Sequence, residues 1–196
     1  MWKRSFDMII ALIGIIILSP VWILISIAII LDSSGGILYI SQRVGKYEKL
    51  FNFYKFRTMY PNNDKSGITV GNRDARITPV GYYLRKYKLD EIPQLINVLK
   101  GDMSLIGPRP DVPGYNRYYK QHFDKYYLMK PGITSYSSIY FSNESEIYTK
   151  SADPEKDYKE KTIPKKVELD KKYYDHQNLL NDIKIIFKTI QKVIQN

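Results

Sequence analysis

The chain contains no cysteine, so neither a disulfide nor a thiolate metal site is available to it. Histidine is almost absent as well. His122 and His176, far apart in the sequence, argue against a zinc centre or a Ser-His-Asp triad. There is no GxxxxGKS/T loop, no GxGxxG and no GxSxG, so three common nucleotide-binding and nucleophile signatures are missing. No internal repeat or low-complexity tract interrupts the 196 residues, a length that suits one domain with an appendage and permits a buried core. Acidic residues are few beside basic ones, 20 against 30, and such a surface attracts nucleic acid, anionic lipid or phosphorylated substrates.

What is present begins with a single long apolar run, Met8 to Leu31, bounded by Asp7 and Asp32. As a helix it is about 36 Å long, enough for a bilayer core of about 30 Å. It is too long for a signal peptide, and no small-x-small cleavage site follows it. At its centre stand Ser19 and Pro20. Proline removes one helix bond and frees the carbonyl of Ile16, which the Ser19 hydroxyl is placed to satisfy. Both flanks are basic: Lys3 and Arg4 before, Arg43, Lys46, Lys49, Lys55 and Arg57 after. Basic flanks favour the cytoplasmic side, so a helix broken at Ser19-Pro20 could enter and leave by one face, whereas a kinked ordinary span would put one basic flank outside. The residues alone leave both topologies open.

Beyond the loop at Asp32–Gly36, two β-prone runs, Ile37–Gln42 and Lys49–Phe56, flank a glycine-containing turn and predict a hairpin. Residues 60–75 are polar and turn-rich and are expected to form a mobile loop. Helices are expected over Pro79–Lys88, with proline in the first turn, over Asp90–Leu99 with Asp90 as its N-cap, and over the tyrosine-rich Asn116–Leu128. The charged stretch Asn143–Lys172 reads as surface helix and loop. At the end, Ile183, Ile186, Phe187, Ile190, Val193 and Ile194 share one helical face away from Lys184, Lys188 and Lys192. That pattern suits a membrane surface and equally a helix packed on the core.

Chemistry concentrates between Lys55 and Arg109. Asp90-Glu91 is an adjacent acidic pair, and such pairs at helix starts are commonly caps. An ionised carboxylate can also attack phosphorus, and two hard oxygen donors can hold Mg²⁺. Around the pair stand Lys55 and Arg57 in "YKFRTM", Arg85, and Arg109 between two prolines that restrict its backbone. Each of these is, taken singly, most simply a solvated charge.

The segments "SPVW", "QRVG", "YKFRTM", "DARITPVGYYLRKYKLDEIPQLINVLKGDMSLIGPRP", "KPGIT" and "DIKIIFKTI" occur in the order found in the bacterial sugar transferase family, and the chain resembles the small monotopic phosphoglycosyl transferases over nearly its whole length. The resemblance implies transfer of a phosphosugar from a UDP-sugar to polyprenol (undecaprenyl) phosphate with release of UMP, the first membrane step of glycan assembly, with Mg²⁺ as cofactor. It implies Asp90 as the nucleophile forming a covalent phosphosugar intermediate in a ping-pong route. Glu91 would assist with the metal or with protons, Lys55, Arg57 and Arg85 would lie near phosphate, and Arg109 would hold the nucleotide side. It favours the re-entrant reading of Ser19-Pro20. The implied fold is α+β, mostly helical with a small β-hairpin: a re-entrant membrane helix over 1–33, and a cytoplasmic catalytic domain with interfacial helices over 34–196. The implied place is the cytoplasmic face of the bacterial inner membrane, against membrane lipid, with a homodimer left open.

The sequence departs from many relatives after "KPGIT", where Ser135–Glu144 replaces a glycine- and arginine-containing stretch. Sugar contacts therefore do not carry over; an N-acetylated amino sugar is the expected donor. A membrane-anchored nucleic-acid binder would explain the charge and the 18 tyrosines, but no helix-turn-helix or RNA-binding signature supports it, and no nucleic-acid partner is expected. A non-catalytic basic anchor would not need the acidic pair with its basic partners. A two-carboxylate glycosidase needs a separation of about 5–9 Å that adjacent residues hardly provide.

Overall fold

The computed structural model describes residues 2–61 and 74–195. Most of the loop expected over 60–75 lies outside the described residues. At its margins Tyr60 N–H donates to the Arg76 carbonyl and Met59 bridges to Ile77.

Apolar content makes the first element. Helix α1 (Trp2–Asp32) is, among the described residues, the one helix long and apolar enough to cross a membrane. The helix was expected to break at Ser19-Pro20, yet its assignment runs unbroken through both residues. The Ser19 hydroxyl donates to the Ile16 carbonyl at 2.8 Å, so the acceptor that proline orphans keeps a partner. One face of α1 touches the rest of the protein along its full length, at helical spacing. Arg4 donates to the Val98 and Leu99 carbonyls, and Asp7 accepts from the Ser104 hydroxyl and the Leu105 amide. Ala11 is fully buried, and Gly14 lies against Leu95. Trp22 meets Phe56 edge-on at 5.1 Å, Ile25 and Ile29 are buried, and Asp32 accepts from the Val80 amide. The opposite face, including Ile16, Ile17, Ile23, Leu24 and Leu31, is apolar and exposed.

The expected hairpin is present as β1 (Leu38–Val44) and β2 (Leu50–Phe56), antiparallel, with Leu38 opposite Phe56 and Val44 opposite Leu50. Helix α2 (Pro79–Lys86) starts where proline predicts, and the Thr78 hydroxyl caps it by accepting from Gly81 N–H. Helix α3 (Gln94–Lys100) is stapled to β2 by the fully buried Asn97, which accepts from Tyr54 N–H and donates to the Asn52 carbonyl.

A pair not expected from the sequence follows: β3 (Ser104–Ile106) runs parallel to β4 (Gly132–Thr134). Each strand has only three residues, too few for periodicity to show. Between them α4 (Asn116–His122) is shorter than the predicted Asn116–Leu128. Phe123 turns extended and packs on Tyr174, and only a 3₁₀ turn, Tyr126–Leu128, remains of the predicted remainder.

Short helices α5 (Tyr136–Tyr140), α6 (Glu144–Ile147) and α7 (Pro154–Asp157) lead through a π turn to α8 (Ile163–Asp175) and α9 (Leu179–Ile194). The stretch read as surface is in part core. Ile163, Lys166, Val167, Asp170 and Tyr173 form a buried stripe on α8, while Lys165, Glu168 and Lys172 pair on its outside. High charge density masked a one-sided pattern. Helix α9 buries Asp182 and Ile185 but exposes Leu180, Phe187, Ile190 and Ile194. It thus has an apolar face on each side, one against the core and one outward. The main core gathers Val98, Met103, Ile106, Tyr119, Ile163, Val167 and Ile185 with Ala11 of α1, and a smaller core joins Ile25, Ile29, Phe56 and Leu84.

Candidate active site

The acidic pair does not cap a helix. Lys88 adopts a left-handed backbone conformation (φ 57°), and Leu89–Glu91 then form a 3₁₀ turn ahead of α3. A non-glycine residue held there costs about 1 kcal/mol or more and persists only where its surroundings fix it. Here the Lys88 ammonium donates to the Ser142 carbonyl at 2.8 Å, tying the turn to the α5–α6 connection. Burial, only partly opposed by Glu91, lowers the Lys88 pKa.

β2 presents Lys55 to both carboxylates, 3.3 Å from Asp90 Oδ2 and 3.1 Å from Glu91 Oε1. Arg109 grips Glu91 with two parallel bonds, Nη2 to Oε1 at 2.6 Å and Nη1 to Oε2 at 3.1 Å. Burial by itself would raise the Glu91 pKa. The charges of Arg109 and Lys55 and the Arg109 bonds outweigh it and hold the carboxyl well below its usual range. Glu91 in turn raises the Arg109 pKa. The two acids therefore differ. Both Glu91 oxygens are occupied, whereas Asp90 is bonded through Oδ2 alone among the described residues.

Arg109 is placed by backbone rather than by its prolines alone. The Gly132 amide donates to the Pro108 carbonyl and the Gly107 amide to the Thr134 carbonyl. A Cβ on Gly132 would sit 2.1 Å from the Gly107 nitrogen, so the close approach requires glycine. "KPGIT" is thus the strand that pins "GPRP".

Arg85 lies half-buried near the pair, and its guanidinium makes no hydrogen bond among the described residues. Burial lowers its pKa against the opposing charges of Asp90 and Asp74. Arg57 is elsewhere. It is buried, and its guanidinium caps the end of α1 through the carbonyls of Ile29, Ser33 and Ser34 and the Ser33 hydroxyl. The structure thus brings Lys55, Arg85, Asp90, Glu91 and Arg109 together and leaves Arg57 out.

A cavity of about 670 Å³, within the range of small-molecule sites, opens beside the pair. Arg85, Lys88, Glu91 and Arg109 line its cationic part, and Leu18 of α1 with Ile190 and Val193 of α9 line an apolar end. Asp90, 5% exposed, does not line it, whereas its neighbour Glu91 does. Lys88 and Asn97 were not singled out from the sequence: each is an ordinary polar residue until its distant partner is known.

As metal ligands the two carboxylates suffice for Mg²⁺ only if substrate oxygens and water complete the shell, the usual arrangement at phosphate sites. Among the described residues there is no cluster of three or more acidic or histidine side chains. The donor set therefore fits a substrate-borne cation and not a metal cage, with the second oxygen of Asp90 as the open donor.

A profile of the bacterial sugar transferase family matches residues 1–196. A UDP-N-acetylgalactosamine-undecaprenyl-phosphate N-acetylgalactosaminephosphotransferase of Aeromonas hydrophila is 34% identical over 98% of this chain and 43% of its own length. A UDP-glucose:undecaprenyl-phosphate glucose-1-phosphate transferase of Escherichia coli (strain K12) is 37% identical over 99% of this chain and 40% of its own length. A putative undecaprenyl-phosphate N-acetylgalactosaminyl 1-phosphate transferase of Bacillus subtilis (strain 168) is 44% identical over 67% of this chain and 70% of its own. The chain belongs to the bacterial sugar transferase family. It spans about two fifths of the length of the first two relatives.

Proposed function

We propose that the chain is a phosphotransferase that moves a phosphosugar from a UDP-sugar to polyprenol phosphate at a membrane surface, releasing UMP. The observation that carries this reading is the cavity itself. One part is cationic and meets an acidic pair; the other is apolar and bounded by the two helices with exposed apolar faces. A diphosphate suits the first part, and a prenyl chain arriving from lipid suits the second. The names of the relatives supply the substrate class, and they differ in sugar, N-acetylgalactosamine in one and glucose in another. An N-acetylated amino sugar remains our preferred donor.

In the proposed chemistry an Asp90 oxygen attacks the sugar-bearing phosphorus and the bond to the bridging oxygen breaks, its electron pair leaving on UMP. A polyprenol phosphate oxygen then attacks the same phosphorus and displaces the carboxylate, giving a polyprenol diphosphate sugar. Asp90 suits this role because one of its oxygens is uncommitted, whereas Arg109 and Lys55 occupy Glu91. Glu91 fixes Arg109 and Lys55 against the diphosphate, and Arg85 is an unspent anion partner. Mg²⁺, held by Asp90 or Glu91 together with diphosphate oxygens, would supply charge neutralisation.

The seating of α1 favours one-sided membrane attachment. Arg4 and Asp7 near one end and Asp32 near the other all bond the same catalytic body. A straight helix of this length is about 45 Å long, so one crossing the bilayer could not keep both ends on a body in water. We therefore read α1 as a re-entrant segment turning near Pro20, with the body at the cytoplasmic face of the inner membrane and the outer stripe of α9 in the interface.

The test is a half-reaction. Wild-type protein given a UDP-sugar without polyprenol phosphate should release up to about one UMP per site and then stop, with a phosphosugar adduct on the Asp90 peptide. Asp90→Asn should abolish both. UMP release only when both substrates are present, with no adduct, would replace the covalent route by direct attack and leave Asp90 a metal ligand.

A further inference from the structure

The cavity has a third wall that the reaction as drawn does not use. It is built from Ser138 and Glu144 of the stretch that departs from the family pattern, from Tyr148 and Tyr158 in the turns between α6 and α8, and from Lys166 of α8. Its centre is Glu144. Lys166, 7% exposed at the side chain, bonds both carboxylate oxygens, at 2.8 and 2.9 Å. The fully buried Tyr148 hydroxyl donates to Oε1 at 3.2 Å and pairs with the Thr162 hydroxyl at 2.8 Å, which fixes its orientation. The Glu144 side chain is still 26% exposed, and it lines the cavity. An ion pair serving packing alone gains little from facing a cavity, since replacing such a pair by apolar groups is often neutral or stabilising. A carboxylate locked by a lysine and a tyrosine, with one acceptor position on Oε2 left over at the cavity, is a preset acceptor for one donor on a ligand. Glu144 is also close enough to Arg109 for its charge to raise the Arg109 pKa, so this wall and the phosphate clamp face one volume.

We propose that Glu144 reads the sugar of the donor, accepting through Oε2 from one O–H or N–H group of the ring, and that Lys166 and Tyr148 are positioning residues holding its carboxylate. The idea rests on the phosphosugar-transfer reading above. Donor choice is then set by the α5–α8 wall, apart from the Asp90-Glu91 chemistry. A sugar lacking that donor leaves the remaining acceptor position unsatisfied and is rejected more strongly than one merely different in size.

The test uses the full chain in detergent or nanodiscs with polyprenol phosphate and a panel of UDP-sugars differing at one ring position each, including UDP-glucose, UDP-galactose and their N-acetylamino counterparts. Glu144→Gln should lower kcat/KM for the preferred donor about 10-fold or more and for poor donors by less, flattening the rank order, while UDP affinity stays within about twofold. Glu144→Asp, which keeps the charge and the Lys166 partner, should fold where Gln does not and should shift the rank order. Lys166→Met should mimic the loss of selectivity with a smaller effect on KM for the poor donors. If wild-type protein acts on no UDP-sugar, the functional reading fails. If it is active but Glu144→Gln and Glu144→Asp keep its rank order, or lose activity equally on every donor together with UDP binding, the assignment of Glu144 is overturned while the reaction stands.

Discussion

Replacing Gly132 by alanine tests whether the β3–β4 contact sets the site. The added Cβ would stand 2.1 Å from the Gly107 nitrogen, 2.6 Å from its oxygen and 2.7 Å from its Cα. Backbone cannot yield as a flexible side chain does, so the strands must part by about 1 Å or more to reach carbon contact distance. The bond from the Gly132 amide to the Pro108 carbonyl, 2.9 Å at present, then passes the limit for a hydrogen bond, and that from Gly107 to Thr134, 3.1 Å, follows. At about 1–3 kcal/mol for each of the two broken backbone bonds, a loss of about 2–6 kcal/mol is expected. That is a large part of the 5–15 kcal/mol typical of a domain. Because Pro108 carries Arg109 with it, UMP release should fall about 100-fold in whatever protein stays folded, the usual penalty for a 1 Å misplacement. Gly36→Ala is the control: its Cβ would meet nothing nearer than 3.8 Å, and stability should move by less than about 0.5 kcal/mol. Thermal melts in detergent and single-turnover UMP release read both effects. A Gly132→Ala protein that melts and turns over like wild type would refute the account of "KPGIT" as a backbone clamp.

Arg57→Met should cost about 2–4 kcal/mol by uncapping α1, yet leave the KM for UDP-sugar unchanged in the folded protein; a raised KM with unchanged stability would make Arg57 a substrate contact after all. Burial pushes the Asp111 carboxyl up to about 7 and that of Asp170 up to about 6, against about 3.9 in the unfolded chain. The folded state therefore holds the extra protons. Stability should be greatest below about pH 4 as far as these two groups decide it, and should fall as pH rises through 6 and 7. Asp111→Asn should flatten that fall in melts between pH 5 and 8, and an undiminished slope would assign it to other groups. Cysteines placed singly at Trp2 and Lys49 of this cysteine-free chain should both resist an impermeant thiol reagent in intact cells; labelling of one alone would establish a spanning helix.

Elements built on a regular period were legible from sequence: the long apolar α1, the hairpin, the proline-led α2 and the amphipathic α9. The acidic pair and the basic residues Lys55, Arg85 and Arg109 stand out in the sequence as a band of opposite charges, and the fold brings them near one another. What failed depended on partners remote in the chain. Arg57 looked like a phosphate ligand because it lies two residues from Lys55, but it falls just beyond the end of β2, and its guanidinium finds the carbonyls of α1 instead. Asp90 looked like an N-cap because a helix follows, and the left-handed Lys88 that shifts it into a 3₁₀ turn is held by Ser142. The parallel pairing of β3 with β4 joins segments too short to announce themselves, and α8 hid its buried stripe beneath lysines and glutamates.

The salt bridge between Lys3 and Asp182, 2.5 Å long, joins helices 179 positions apart, and the Asp182 carboxylate also receives the Tyr173 hydroxyl. During synthesis α1 emerges long before α9 exists, and on the proposed attachment it would meet lipid first. Ala11 waits for a core that needs Ile163, Val167 and Ile185. Until then the nascent chain is a tethered, half-built body with an open hydrophobic seam, and closing so long a loop is slow. The proposed anchorage would confine that seam to a plane, where lipid would cover what could otherwise seed aggregation. Cutting away residues 1–33 would therefore remove part of the core, and the remainder should not fold.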